Sequence, residues 1–287
     1  MTNEPHMTRR QAVKVAGTAG AVYFLAPGLP GLSSVPARAA TAQASAAKLT
    51  PELTEGPYWV NTWLHRSNVL ANSHGGGHQQ GVPLRLYINV FEATTKEPMN
   101  GLAVDIWHAN AHGLYSDESA QQAGGGTGSS SGDTLSDNWL RGYQITGKDR
   151  GLRNKPVHGQ VSFQTIWPGW YTGRAIHIHV RVRKLHSSGA TIAGYTTQIF
   201  FSDASNTHVL TGAAPYNTRS PQTDPTTNEN DTVITSTDFT TNIVSVKGGI
   251  GSGYVGVFNI AADTAEVDAA GSLSRPNSGA GGAPPIP

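Results

Sequence analysis

Short runs in which apolar and polar residues alternate, bounded by Gly, Pro, Asn or Asp, recur along the chain. LRLYINVF (84–91), LAVDIWHA (102–109), GQVSFQTI (159–166), AIHIHVRV (175–182), TIAGYTTQIFF (191–201) and GYVGVFNIAA (253–262) each read as a β-strand. Their β-branched and aromatic residues suit a pleated, half-buried surface, and the turn formers end them. No long stretch with a 3.6-residue apolar period follows residue 40, which predicts an all-β chain, most simply a single two-sheet β-sandwich with long loops. No internal repeat or second domain is visible. In AIHIHVRV the period of two places Ile176, Ile178, Val180 and Val182 on one face and His177 and His179 together on the other. The first face reads as core; the second needs a chemical reason.

Composition supports the β reading, because 34 glycines and 17 prolines in 287 residues suit many turns better than a helical bundle. It also sets the first forty residues apart. Arg9 and Arg10 in tandem precede an apolar stretch from Ala16 to Leu32, and Ala37-Arg38-Ala39 supplies the small residues of a cleavage point. This resembles a twin-arginine export signal over residues 1–39, followed by a linker at 40–52, a domain at 53–271 and a Gly/Pro-rich disordered tail at 272–287. A membrane anchor is the competing reading, but Gly28, Pro30 and Gly31 break the apolar run below a spanning length. The implied location is extracellular or in the cell envelope. Without residues 1–39 the formal charge falls from +1 to about −2, which offers no electrostatic case for nucleic acid or a membrane surface. With no cysteine in the chain, disulfides cannot staple an exported fold, and core packing or a bound metal must hold it. A second irregular segment, QQAGGGTGSSSGD (121–133), reads as a mobile surface loop.

Three readings compete for the H-x-H pair. The bland one is a solvated strand face with no ligand, which is ordinary in a two-layer β fold. A two-histidine, one-carboxylate Fe(II) site or a cupin-like site needs a nearby acid, yet no histidine has Asp or Glu two residues later and the first acid after His179 is Asp203. A structural zinc site is weakened by the absence of cysteine. The third reading adds tyrosines. Tyr171 sits in the Pro-Gly turn WPGWYTGR six residues before His177, and Tyr115 follows Gly113 just beyond the strand LAVDIWHA. Phenolates are hard donors that suit Fe(III).

DIWHANAHGLYSD, TIWPGWYTGRAIHIHVRV and TTQIFF, in this order, resemble the intradiol ring-cleaving catechol dioxygenases over roughly Leu53 to Asp203. The resemblance implies a ferric iron held by Tyr115, Tyr171, His177 and His179, with Tyr115 permanent and Tyr171 displaced by substrate. It implies that Arg174 faces the substrate ring and that Gln198 supports it, while Tyr58 and Trp59 in LTEGPYWV line the pocket mouth. The implied reaction consumes a catechol-type diol and O2, breaks the bond between the hydroxylated carbons and gives a cis,cis-muconate-type diacid without a reductant. Residues 40–53 hold nothing like the long helical N-terminal region of members that act on catechol itself, so the chain is closer to the protocatechuate-type or secreted single-domain members. Trp107, Trp167 and Trp170 are read as core aromatics, His108 and His112 as supporting or surface groups, and His74 and His78 as solvated. Two alternatives stay open: a secreted binding module with a degenerate metal site, and an Fe(II) extradiol enzyme. Oligomeric state is not legible.

Overall fold

The computed structural model describes residues 49–119, 134–151, 154–218, 226–234 and 239–263. The expected export signal at 1–39, most of the expected linker, the Gly/Ser segment at 121–133 and the expected tail at 272–287 lie outside them. The elements in chain order are β1 (Pro83–Glu92), β2 (Ala103–Trp107), β3 (Arg141–Ile145), β4 (Gln160–Ile166), β5 (His177–Leu185), β6 (Thr191–Phe200), α1 (Asp203–Gly212), β7 (Ser245–Gly249) and β8 (Gly253–Ala262). They form two four-stranded sheets, ordered β4-β1-β8-β7 and β3-β2-β5-β6. All pairings are antiparallel except β1 with β8. The predicted two-sheet β-sandwich is therefore the fold.

Alternation along the strands builds the core. Leu84, Leu86, Ile88 and Val90 of β1 and Val161 and Phe163 of β4 face Val104 and Ile106 of β2 and Ile178, Val180 and Val182 of β5, all within one buried cluster. Each predicted strand is present, with ends displaced by up to three residues. β5 begins at His177 rather than at Ala175, because the Ala175 N–H is taken by Asp231 Oδ2 (2.7 Å) and its carbonyl by His177 Nδ1 (2.6 Å), which leaves neither for the ladder. Two strands escaped the sequence reading. β3 (RGYQI) has one aliphatic residue, and β7 (SVKGG) is an edge strand that is largely exposed. Helix α1 escaped as well, since only Val209 and Leu210 anchor its apolar side; its start is capped by Ser202, whose hydroxyl accepts the Ser205 N–H.

The outer face of the second sheet is not solvated. Residues 49–66 cross it from edge to edge. At the β6 edge, the Leu53 N–H donates to Thr196 O (2.9 Å), and the Tyr195 hydroxyl bonds Thr50 O. Thr50 also ties this arm to the other sheet through Ala261. At the β3 edge, Tyr143 N–H donates to Leu64 O (2.8 Å) and Arg66 N–H to Tyr143 O (3.1 Å). Between these ends the arm lies over His179, Arg181 and Arg183, which share one row of β5 with His177. Arg181 pairs with Glu55 (2.7 Å), and Arg183 makes a two-pronged bond to Asp105 (2.7 and 2.8 Å). The Arg183 guanidinium also stacks 4.6 Å from the Trp63 ring. The polar face of β5 is thus a second, mixed core, and its upper end holds the candidate site.

Candidate metal centre

Two loops deliver the tyrosines. After β2 the chain makes a tight turn in which Asn110 Oδ1 accepts from His112 N–H (2.9 Å) and Leu114 N–H (3.1 Å), with Gly113 at φ +78°, so that Tyr115 is turned back under the sheet face. The WPGWYTGR loop is pinned by Trp167 and Trp170 in the main core. Gly169 seals the two loops together: its N–H donates to Asn110 O (3.0 Å), and a Cβ there would lie only 2.4 Å from Ala111 O, so no other residue fits.

The side chains converge as follows. His177 Nε2 lies 3.1 Å from Tyr171 Oη, 3.4 Å from Tyr115 Oη and 3.0 Å from His179 Nε2. All four side chains are buried. His177 Nδ1 donates to Ala175 O (2.6 Å), which leaves its Nε2 with a single lone pair toward three polar groups. One lone pair cannot serve three neighbours. A cation among them can, because bonds of about 2.0–2.1 Å at angles of 90–110° put ligand atoms roughly 2.9–3.4 Å apart. The four residues therefore fit a metal ion by spacing and by donor type. Among the described residues no group of three or more His, Cys, Asp or Glu does so.

Burial sets the protonation of the metal-free cluster. It drives both imidazoles well below their usual range, with the Arg174 charge adding to the effect on His177 and the neighbouring His177 to that on His179. It pushes the Tyr171 phenol up to about 12 and the Tyr115 phenol well above its ordinary range, against the opposing pull of Arg174. The cluster is therefore neutral, and a cation held among these donors would displace the phenol protons.

Arg174 and Gln198 stand beside this cluster. Gln198 is paired across the ladder with His179; its Oε1 accepts from Arg174 Nη2 (2.5 Å), and its Nε2 donates to Thr54 O (2.8 Å). Tyr58 stacks on Tyr115 at 4.3 Å and meets Tyr171 edge-on. Trp59 faces Trp107 instead, with the Arg181 guanidinium 5.1 Å from its ring. Both suggested pocket residues thus pack against the cluster of Trp107, Tyr115 and Tyr171, Tyr58 by stacking on a tyrosine and Trp59 against Trp107.

Three further residues matter that the sequence did not single out for this role. Trp107, read as core, is on the outer face and stacks on His179 at 4.8 Å with an interplanar angle of 8°. Arg141, buried at the start of β3, donates to Tyr58 O (2.6 Å) and to Ser116 Oγ (3.0 Å), joining the arm to the Tyr115 loop. Asp231 receives Arg174 Nε (3.1 Å). The register of β2 against β5, which sets Trp107 opposite His179, was the only signal that could have placed one of them.

His108 is buried rather than superficial. Its Nδ1 donates to Ala109 O (2.8 Å), and its Nε2 accepts from the Thr165 hydroxyl (2.6 Å), a neutral tautomer satisfied at both ends. Burial lowers its pKa from 6.5 to about 4. The unfolded chain therefore takes up this proton first, and the stability His108 contributes is present above pH 6.5 and lost as pH falls toward 4, by roughly 2–3 kcal/mol. Urea unfolding of the metal-free protein at pH 7 and pH 4.5 should show a smaller acid loss in His108→Gln than in wild type; equal losses would refute this assignment.

Residues 54–243 match a family model described as Dioxygenase. The chain belongs to the intradiol ring-cleavage dioxygenases. A solved intradiol ring-cleavage dioxygenase from Tetranychus urticae is 26% identical, with a TM-score of 0.57 over 80% of this chain and 98% of that one. The dioxygenase domain of a dioxygenase–carbohydrate-binding protein fusion from Streptomyces sp. SirexAA-E is 24% identical, with a TM-score of 0.45 over 75% of this chain and 99% of that one. No curated protein sequence matches the chain. As an intradiol dioxygenase the protein is an oxidoreductase that opens aromatic rings, and its site is to be understood as one for a catechol-type substrate and O2.

Proposed function

We propose that this dioxygenase holds ferric iron through Tyr115, Tyr171, His177 and His179 and converts a catechol-type diol to a cis,cis-muconate-type diacid. The observation that supports this most is the convergence of three donor atoms within 3.4 Å of His177 Nε2 in a buried, neutral cluster. Ferric iron held by these four residues would supply a Lewis acid that makes a catechol-type ring reactive toward O2. Tyr115, 1% exposed beneath the Tyr58 ring, is the permanent phenolate; Tyr171, 8% exposed on a Gly-flanked turn, is the one that yields. On leaving, its Oη takes a hydroxyl proton of the diol. Arg174 offers a fixed cation where negative charge develops on the ring, and Gln198 holds its guanidinium. Tyr58 closes the wall against water. A diol plus O2 equals a diacid carrying both oxygen atoms, so no reductant enters the balance.

The test combines metal, colour and product. The purified protein should contain about one iron per chain and absorb visible light through its tyrosinate ligands. It should consume one O2 per catechol and release the diacid cut between the hydroxyls. An iron-free, colourless protein would favour a binding module, and a ring opened beside the hydroxyls would refute intradiol cleavage. A panel of catechol, protocatechuate, hydroxyquinol and lignin-derived diols then identifies the substrate.

We propose in addition that the protein is exported through the signal at residues 1–39 ahead of the domain at 53–271, on the strength of Arg9-Arg10 and the apolar stretch that follows. Among the described residues no helix is long and apolar enough to cross a membrane. Arg9→Lys with Arg10→Lys should retain the protein in the cytoplasm on cell fractionation; unchanged export would exclude this route.

A further inference from the structure

Asp231 lies outside every motif noted in the sequence, yet its carboxylate has no solvent-exposed surface and is fully engaged. Oδ1 accepts the N–H groups of Val233 (2.8 Å) and Ile234 (3.3 Å), which fixes the carboxylate in its own turn. Arg174 Nε donates to both oxygens (3.2 and 3.1 Å), and the Ala175 N–H donates to Oδ2 (2.7 Å). The carbonyl of the same Ala175 accepts the Nδ1–H of His177 (2.6 Å). On its other side, the Arg174 guanidinium is held by Gln198. We infer that Asp231 is a positioning residue shared by two groups of the site: it aims Arg174 directly, and through the residue Ala175 it sets the ring of His177 and so the direction of the Nε2 lone pair. This rests on the ferric reading given above. An asparagine keeps one accepting oxygen, held at the Oδ1 position by the Val233 and Ile234 N–H groups, and puts an NH2 where Oδ2 accepts from Arg174 Nε and Ala175 N–H, so Asp231→Asn removes the charge and one acceptor from the first link and breaks the second.

The experiment compares full-length, iron-loaded wild type, Asp231→Asn, Arg174→Ala and the double variant. Turnover per bound iron, KM for catechol, melting temperature and the rate of iron release to a chelator are measured for each. Asp231→Asn should lower kcat per iron about 10–100-fold with little change in KM, and release iron about tenfold faster. Arg174→Ala should release iron at the wild-type rate, and adding Asp231→Asn to it should cost less than about threefold more in kcat. Fully multiplicative kcat losses with unchanged iron release would overturn the shared role, as would a lowered melting temperature with kcat per iron and release unchanged. Should Asp231→Asn not fold, Asp231→Glu keeps the charge but displaces it by one methylene; a lowered kcat at the wild-type melting temperature supports the inference, and wild-type kcat and release overturn it. Colourless, iron-free wild type would instead overturn the ferric reading itself, an outcome visible before any variant is made.

Discussion

Removing His177 empties the site of iron: His177→Ala is expected to purify colourless, with iron content and ring-cleaving turnover each down by more than about 100-fold. Its Nε2 is the atom on which both phenol oxygens and the second imidazole converge, at 3.0 to 3.4 Å, so its loss takes away the hub of the cluster rather than one corner. Tyr115→Phe should behave similarly, because it removes an oxygen from the cluster at a ring buried under Tyr58. Tyr171→Phe makes the informative contrast. Its oxygen is the one proposed to leave, so this variant should keep much of its iron yet lose turnover, with an altered visible band. Iron analysis and visible absorption of the three purified proteins check the set. Iron-replete, coloured His177→Ala would exclude the proposed ligand set. His177→Ala should still fold, since the β5 side chains facing the main core, Ile178, Val180 and Val182, are untouched.

Arg174→Ala should give the opposite pattern: iron and colour retained, turnover reduced by about 100- to 1,000-fold. The guanidinium makes no hydrogen bond to the side chains of the four proposed ligands; it spans from Asp231 to Gln198 beside them, and its charge opposes the effect of burial on both phenols. Its removal therefore withdraws a cation from the developing negative charge without dismantling the cluster. Arg174→Lys is expected to recover little, because an ammonium cannot bond Asp231 and Gln198 at once in the planar geometry of the fork. Steady-state kinetics normalised to bound iron provide the measurement. Turnover of Arg174→Ala at the wild-type rate would remove Arg174 from the reaction.

How far these residues were legible follows from the range of the signal each one leaves. A period of two places His177 and His179 on one face opposite Ile178 and Val180, and the turn residues around Gly113 and Pro168-Gly169 mark where Tyr115 and Tyr171 leave their strands. These are local patterns, and the strands of both sheets that are rich in β-branched residues were legible for the same reason. β3 and β7 were not, because RGYQI and SVKGG owe their conformation to neighbours rather than to their own side chains.

The amino-acid sequence by itself determined a β-sandwich, its inward-facing residues and a histidine pair flanked by two turn-borne tyrosines, since each of these is written in spacings of a few residues. Only the tertiary structure decided what covers the histidine face and what aims the arginine beside it. The arm at 49–66 reaches Arg181 from Glu55 across 126 residues, Trp107 meets His179 through the register of two strands, and Asp231 binds Arg174 across 57 residues. An acid in an Asn- and Thr-rich stretch leaves no periodic trace of its partner. Which distant charge closes on which is set by loop paths and strand order, and these become definite only once the two sheets have packed.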